Sequence, residues 1–174
     1  MNNRGRSLCL IGFMGAGKSA VGRALAQKLS WPRWETDELV AAKLGMTIPE
    51  IFQREGEARF RDAESAVLQE LNATEPTIIM TGGGIVLRPD NVERLRELGT
   101  VVWLKADLAT LQTRLAGAQD RPLLQTADPA ATIAELLAER TKFYEEAADL
   151  AFDSFGREAA AVAGAILDEF PSSG

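Results

Sequence analysis

Apolar residues recur along this chain in two alternating rhythms. Leu8-Cys9-Leu10-Ile11 is an unbroken apolar run that stops at Gly12, the mark of a strand buried on both faces of a parallel sheet. From Lys18 to Leu29 the apolar positions Val21, Leu25 and Leu29 return at helical spacing. Thr77-Ile78-Ile79-Met80 and Thr100-Val101-Val102-Trp103-Leu104 are two more buried-strand runs, and Ala151-Phe152 makes a short last one. Between them the periodicity predicts helices over Asp37–Leu44, Ile48–Arg54, Glu57–Leu71, Asn91–Leu98, Leu108–Leu115 and Ala130–Ala147. A final helix is predicted from about Arg157 to Asp168. Thr47 and Glu50 form a capping box around Pro49, which suits a first helical turn.

Strands alternating with helices imply an α/β domain around a parallel sheet. No internal repeat and no Gly/Ser/Pro linker divides the chain, so residues 1–174 read as one domain with frayed ends at Met1–Arg6 and Pro171–Gly174. The segment Gly117–Pro129 is polar, contains Arg121-Pro122, and fits neither rhythm. A dozen residues without regular structure in a compact domain suggest a lid; an ordinary surface loop is the alternative.

Composition narrows the classes of partner. Nineteen Lys plus Arg against 25 Asp plus Glu leave a formal net charge of −6, which disfavours non-specific binding to nucleic acid or acidic membranes. Cys9 is the single cysteine and there is no histidine, so an internal disulfide, a zinc site and a histidine triad are excluded. No apolar run approaches a membrane span, and the opening residues do not read as a signal peptide. A cytoplasmic protein is expected.

The chemistry begins at Gly12-Phe13-Met14-Gly15-Ala16-Gly17-Lys18-Ser19, which matches G-x-x-x-x-G-K-S/T between a predicted strand and a predicted helix. Glycines let the backbone curl so that several N–H groups face phosphate oxygens. The following helix aims its positive end at the same place. Lys18 would carry a full charge to the β- and γ-phosphates of ATP, and the Ser19 hydroxyl is placed to ligate Mg²⁺. No Asn-Lys-x-Asp guanine reader follows a later strand, which argues against a GTPase.

Three further constellations bear on the phosphoryl acceptor. Glu35-Thr36-Asp37 follows the first helix, where a second strand should end at the same sheet edge. Gly56-Glu57 and Phe60-Arg61 open a long helix, and Thr81-Gly82-Gly83-Gly84 follows a strand. Together with Ile51-Phe52, Arg121-Pro122-Leu123-Leu124 and Arg140 with Tyr144, these motifs make the chain resemble the shikimate kinase family. The resemblance runs from Leu8 to about Asp168.

The resemblance implies a role for each match. Arg61 and Arg140 correspond to a pair that clamps the shikimate carboxylate, for which guanidinium forks suit a planar anion. Read from the residues alone, Arg61 could equally pair with Glu64 one turn on. Gly83 corresponds to a backbone donor to the substrate, flanked by Gly82 and Gly84; a strand-ending turn is the alternative. Phe52 and Phe60 correspond to aromatics lining the substrate pocket and would otherwise be core. Asp37 corresponds to the carboxylate that accepts the substrate hydroxyl, although its position also permits a helix N-cap.

Arg121, in the presumed lid, corresponds to an arginine that reaches the ATP phosphates on closure. Gly15, Ala16, Gly17, Lys18, Ser19 and Ala20 form the nucleotide loop, and Arg114 and Arg157 fall where the family contacts the nucleotide near the adenine; solvated helix charges are the alternative for these two. Glu35 stands where the family usually has aspartate associated with Mg²⁺, so one methylene is added beside the metal.

The resemblance further implies a three-layer α/β P-loop kinase fold with a five-stranded parallel sheet ordered 2-3-1-4-5. Residues about 37–65 would be a substrate-binding helical segment and about 117–129 the lid. The implied reaction takes ATP and shikimate to ADP and shikimate 3-phosphate with Mg²⁺, on a monomer whose partners are small molecules. The alternatives are a related kinase acting on gluconate or a nucleoside monophosphate, or an ATP-binding module without turnover.

Overall fold

The structure, a computed structural model, describes residues 7–170. Its elements follow the two rhythms in order. They are β1 (Ser7–Ile11), α1 (Lys18–Leu29), β2 (Arg33–Glu35), α2 (Thr36–Leu44), α3 (Ile48–Glu70), β3 (Ile78–Met80), α4 (Pro89–Leu98), β4 (Gly99–Lys105), α5 (Leu108–Leu115), α6 (Pro129–Ala147), β5 (Leu150–Asp153) and α7 (Ala159–Glu169). The expected ends Met1–Arg6 and Pro171–Gly174 lie outside the described residues. The five strands are all parallel and lie in the order β2-β3-β1-β4-β5.

The two faces of the sheet explain the unbroken apolar runs. Leu8 and Leu10 of β1, Ile78 and Met80 of β3, and Val102 and Leu104 of β4 pack against α1 and α7. Cys9, Ile11, Ile79, Val101 and Trp103 point the other way, against residues of α3, α4, α5 and α6. Each fully buried aliphatic side chain stabilises the fold by about 1.5–3 kcal/mol. A third cluster of Val40, Ile51, Phe60, Ala63 and Val67 stands apart and joins α2 to α3.

The helix α3 is interrupted at Gly56, whose backbone (φ 86°, ψ 169°) is not helical. Its two halves are therefore the two helices predicted separately, and a residue with a Cβ would be strained at that φ. Thr47 and Glu50 form the expected capping box in full: each side chain accepts from the other's backbone N–H. All strands run the same way, so the residues after β1, β2, β3, β4 and β5 gather at one sheet edge. In open α/β sheets that is where ligands bind.

Two expectations are corrected. The final helix starts at Ala159, so Arg157 sits in the turn before it rather than on the helix. The stretch 117–129 is not wholly irregular, since Pro122–Leu124 makes one 3-10 turn and Leu124 is buried in the main core cluster. A second 3-10 turn, Ile85–Leu87, follows the triple glycine.

Candidate active site

The loop Gly12–Gly17 leaves β1 and ends on Gly17, which caps α1 in the left-handed region (φ 93°). A side chain there would be strained, and the cap directs the first N–H groups of α1 into the loop's concavity. Lys18 folds its amine back over this concavity, donating to the carbonyls of Gly12 (2.6 Å) and Phe13 (2.8 Å). Enclosure lowers the amine to about 8, against the pull of Asp37, with Arg121 and Arg140 pushing the same way as burial. The loop borders a cleft of about 470 Å³ that also reaches Ser19, Glu35, Asp37, Arg121 and Arg157.

The carboxylates Glu35 and Asp37 line the same cleft as the loop. Ser19 donates its hydroxyl to Glu35 at 3.3 Å, so the two form one oxygen-rich corner. Asp37 is not the N-cap of α2, because Glu35 holds that position and makes no side-chain capping bond. Instead Asp37 lies in the first turn with its Oδ1 buried and unpartnered. Burial raises its carboxyl above the ordinary range, opposed by the cations Lys18, Arg121 and Arg61. Thr36, fully buried, accepts a hydrogen bond from the Gly82 backbone N–H at 3.1 Å and so ties this turn to the glycine shelf.

The triple glycine is enclosed by the protein's own charged side chains. A Cβ at Gly82 would collide with Glu64 and reach Asp37 Oδ1, one at Gly83 would lie 3.4 Å from Arg140 Nη1, and one at Gly84 would collide with the Arg61 guanidinium. A side chain at Gly82 or Gly84 would push Glu64 or Arg61 out of place, a cost that a strand-ending turn alone would not carry. Arg140 is only 3% exposed, and its Nη1 has no hydrogen-bond partner. Arg61 bridges both Glu64 and Glu57 at 3.3 Å. Phe52 and Phe60 pack at 4.9 Å between ring centroids beside Arg61. A crevice of about 70 Å³ opens among these rings, both arginines, Asp37 and Arg121. Arg121 and Asp37 line the crevice and the larger cleft alike, which makes the two continuous.

Comparison with known proteins bears directly on this arrangement. Residues 14–171 match the family profile described as Shikimate kinase. The chain belongs to the shikimate kinase family. A shikimate kinase of Nitrobacter winogradskyi is 49% identical over 82% of this chain and 67% of its own length. One from Pseudomonas syringae pv. syringae is 46% identical over 86% of this chain and 87% of its own. A solved shikimate kinase from Acinetobacter baumannii, in complex with shikimate, superposes with a TM-score of 0.90 at 35% identity, covering 96% of this chain and 93% of that one.

In this shikimate kinase family member, Gly15 to Ser19, Glu35 and Arg157 border the cleft, Phe52, Phe60, Arg61 and Arg140 border the crevice, and Asp37, Arg121, Gly82 and Gly83 border both. Arg61 pairs with Glu64, as the residues alone allowed, and also borders the crevice. Arg114 donates to the Gly15 carbonyl at 2.8 Å and thereby braces the phosphate loop from α5.

Two supporting residues, Ser154 and Arg88, escaped the sequence reading, and a third, Tyr144, was noted there without a role. The buried Ser154 hydroxyl, just after β5, lies 2.6 Å from the Ala16 carbonyl and 2.9 Å from that of Lys105. Arg88 donates to the Arg61 carbonyl and pairs with Asp62. Tyr144 donates to the Gly83 carbonyl while its ring stacks on Trp103. Tyr144 stood in the motif with Arg140, whereas Ser154 and Arg88 sit in no motif.

Proposed function

We propose that this chain transfers the γ-phosphoryl group of ATP to the 3-hydroxyl of shikimate, giving ADP and shikimate 3-phosphate. The observation that carries this reading is the buried, unpartnered Nη1 of Arg140, which converges with Arg61 on consecutive glycines in a crevice continuous with the phosphate loop. Two guanidiniums so placed suit a carboxylate, and the solved relative from Acinetobacter baumannii holds shikimate.

In this reading Arg61 and Arg140 clamp the carboxylate and the backbone of Gly82–Gly84 lies beneath the ring. Phe52 and Phe60 border its apolar side. The clamp orients one hydroxyl toward Asp37, whose free Oδ1 accepts its proton. The substrate oxygen then bonds to the γ-phosphorus as the bond to the β,γ-bridging oxygen breaks, and ADP leaves. The N–H groups of Gly15 to Ala20 cradle the phosphates, and Lys18 exchanges its two carbonyl partners for phosphate oxygens. Arg121 neutralises charge from the lid, while Arg157 borders the nucleotide end of the cleft.

The donor set fits Mg²⁺. Ser19 and Glu35 offer one hydroxyl and one carboxylate, and among the described residues no group of three or more His, Cys, Asp or Glu gathers that could hold a metal unaided. A small hard cation that keeps most of its ligands as water and phosphate suits such a corner. Held there, Mg²⁺ would neutralise β- and γ-phosphate charge. No helix among the described residues is long and apolar enough to cross a membrane. We read the enzyme as a cytoplasmic monomer whose partners are small molecules.

The test is ADP release in a coupled assay. Turnover is expected to require both Mg²⁺ and shikimate, with gluconate and AMP unable to replace shikimate. Equal or faster turnover with either competitor would overturn the assignment.

The segment about 117–129 is the lid in this reading. Arg121 lies in it, while Leu124 anchors its middle to the core. Hydrogen exchange across 117–129 is expected to slow when ADP and shikimate are both present. Unchanged exchange there, against clear slowing in the phosphate loop, would refute the lid.

A further inference from the structure

We propose that Glu64 takes up a proton when shikimate binds, so that the substrate carboxylate replaces the Glu64 charge beside Arg61 instead of adding to it. The inference rests on shikimate as acceptor and concerns a positioning residue of the same site.

Glu64 lies on α3 one turn after Arg61 and is 1% exposed. Its Oε2 accepts from Arg61 Nη1 at 3.3 Å, while Oε1 is buried with no partner against Gly82. Asp37 Oδ1, from α2, is also buried and unpartnered, and it lies 3.0 Å from the point where a Gly82 Cβ would stand. Two carboxylates from different helices thus crowd one spot. The charged and titratable groups facing Glu64 are Arg61 on its own helix, Asp37 on α2, and Arg140 and Tyr144 on α6.

In the free site Arg61 is already paired with Glu64 and Glu57, and Asp37 crowds Glu64 across Gly82, while Arg140 and Arg121 line the same crevice. A substrate carboxylate set on Arg61 must displace one of these partners. Glu57, the other partner of Arg61, is exposed and can turn to water. Glu64 is buried and packs against Gly82, so its carboxylate has no water to turn to. A buried acid without access to water sheds its charge by protonation. Burial has already raised its carboxyl to about 7, with Arg61 opposing the shift and Asp37 adding to it. A neutral Glu64 also carries a donor, which the two orphaned oxygens lack.

The sign follows. Binding raises the Glu64 value above that of the free protein, so protons are taken up. The shikimate Kd is flat below about pH 7 and rises as pH climbs between the free and bound values.

Calorimetric titration of the full chain with shikimate tests this, in buffers of different ionisation enthalpy and with Mg²⁺ and ADP present so that Lys18 stays engaged with phosphate. The expected result is uptake of about half a proton or more near about pH 8, with Kd rising roughly 3- to 10-fold between about pH 7 and about pH 8.5. Glu64→Gln should abolish both effects while shikimate still binds. Infrared difference spectra of the unmodified protein add a readout that needs no variant, since a protonated-carboxyl stretch should appear when shikimate is added. Shikimate binding without buffer dependence or without the infrared band overturns the proposal, as does equal proton uptake by Glu64→Gln. No binding of shikimate at any pH would instead sink the acceptor assignment, and this inference with it.

Discussion

Replacing Asp37 with Asn is expected to lower kcat by about 10²–10⁴ while ATP and shikimate still bind, the usual worth of positioned acid–base help. The amide keeps the shape and a hydrogen-bonding oxygen but loses the base and its charge. In the proposed mechanism the buried, unpartnered Oδ1 of Asp37 accepts the proton of the substrate hydroxyl. Added Mg²⁺ should not rescue this variant. Glu35→Gln should behave differently, because Glu35 shares its corner with the Ser19 hydroxyl. Its rate should recover much of its value in excess Mg²⁺, and Glu35→Asp should be active. The deciding measurement is kcat against Mg²⁺ concentration for the two amide variants. Rescue of Asp37→Asn but not of Glu35→Gln would reverse the roles. No loss in either would move the reaction centre away from this edge of the sheet.

The second large effect is expected at the clamp. Arg140→Lys should weaken shikimate binding by about 1.5–3 kcal/mol, roughly 10- to 100-fold, while ATP affinity stays nearly constant. Lysine replaces a planar fork by a single ammonium, so one of two parallel hydrogen bonds to the carboxylate is lost. Arg61→Lys should act in the same direction but less strongly. Arg61 has Glu57 and Glu64 for partners before substrate arrives, whereas Arg140 presents a buried donor with none. Paired titrations with shikimate and with an ATP analogue separate the outcomes. Equal damage to both sites would show that these arginines are not the clamp.

Much of this arrangement was legible in the chain because it is local. The helix α1 begins at Lys18 and ends at Leu29, as its period predicts, since Gly17 can hold the left-handed cap that starts it. The break at Gly56 and the capping box at Thr47 and Glu50 are likewise local, each decided by residues within one turn. The short edge strand β2 could be placed only by where it should end. Three residues of mixed polarity, Arg33-Trp34-Glu35, carry no period of their own.

The sequence by itself determined the alternation of strands and helices, the phosphate loop, and which residue types could serve as clamp, base and metal corner. These depend on backbone propensity and spacing within a few residues, and the resemblance supplied their roles and the strand order. Only the tertiary structure decided what holds those groups in place. Glu64 and Asp37 meet over Gly82 from different helices, Ser154 reaches back to Ala16 across 138 positions, and Arg88 secures the Arg61 backbone from the start of α4. The triple glycine shows the difference most directly. Its sequence suggests a turn, but the missing Cβ atoms of Gly82 and Gly84 leave space that Glu64 and Arg61 fill from α3. Such contacts are set by how layers pack on the sheet, and packing distance bears no relation to distance along the chain.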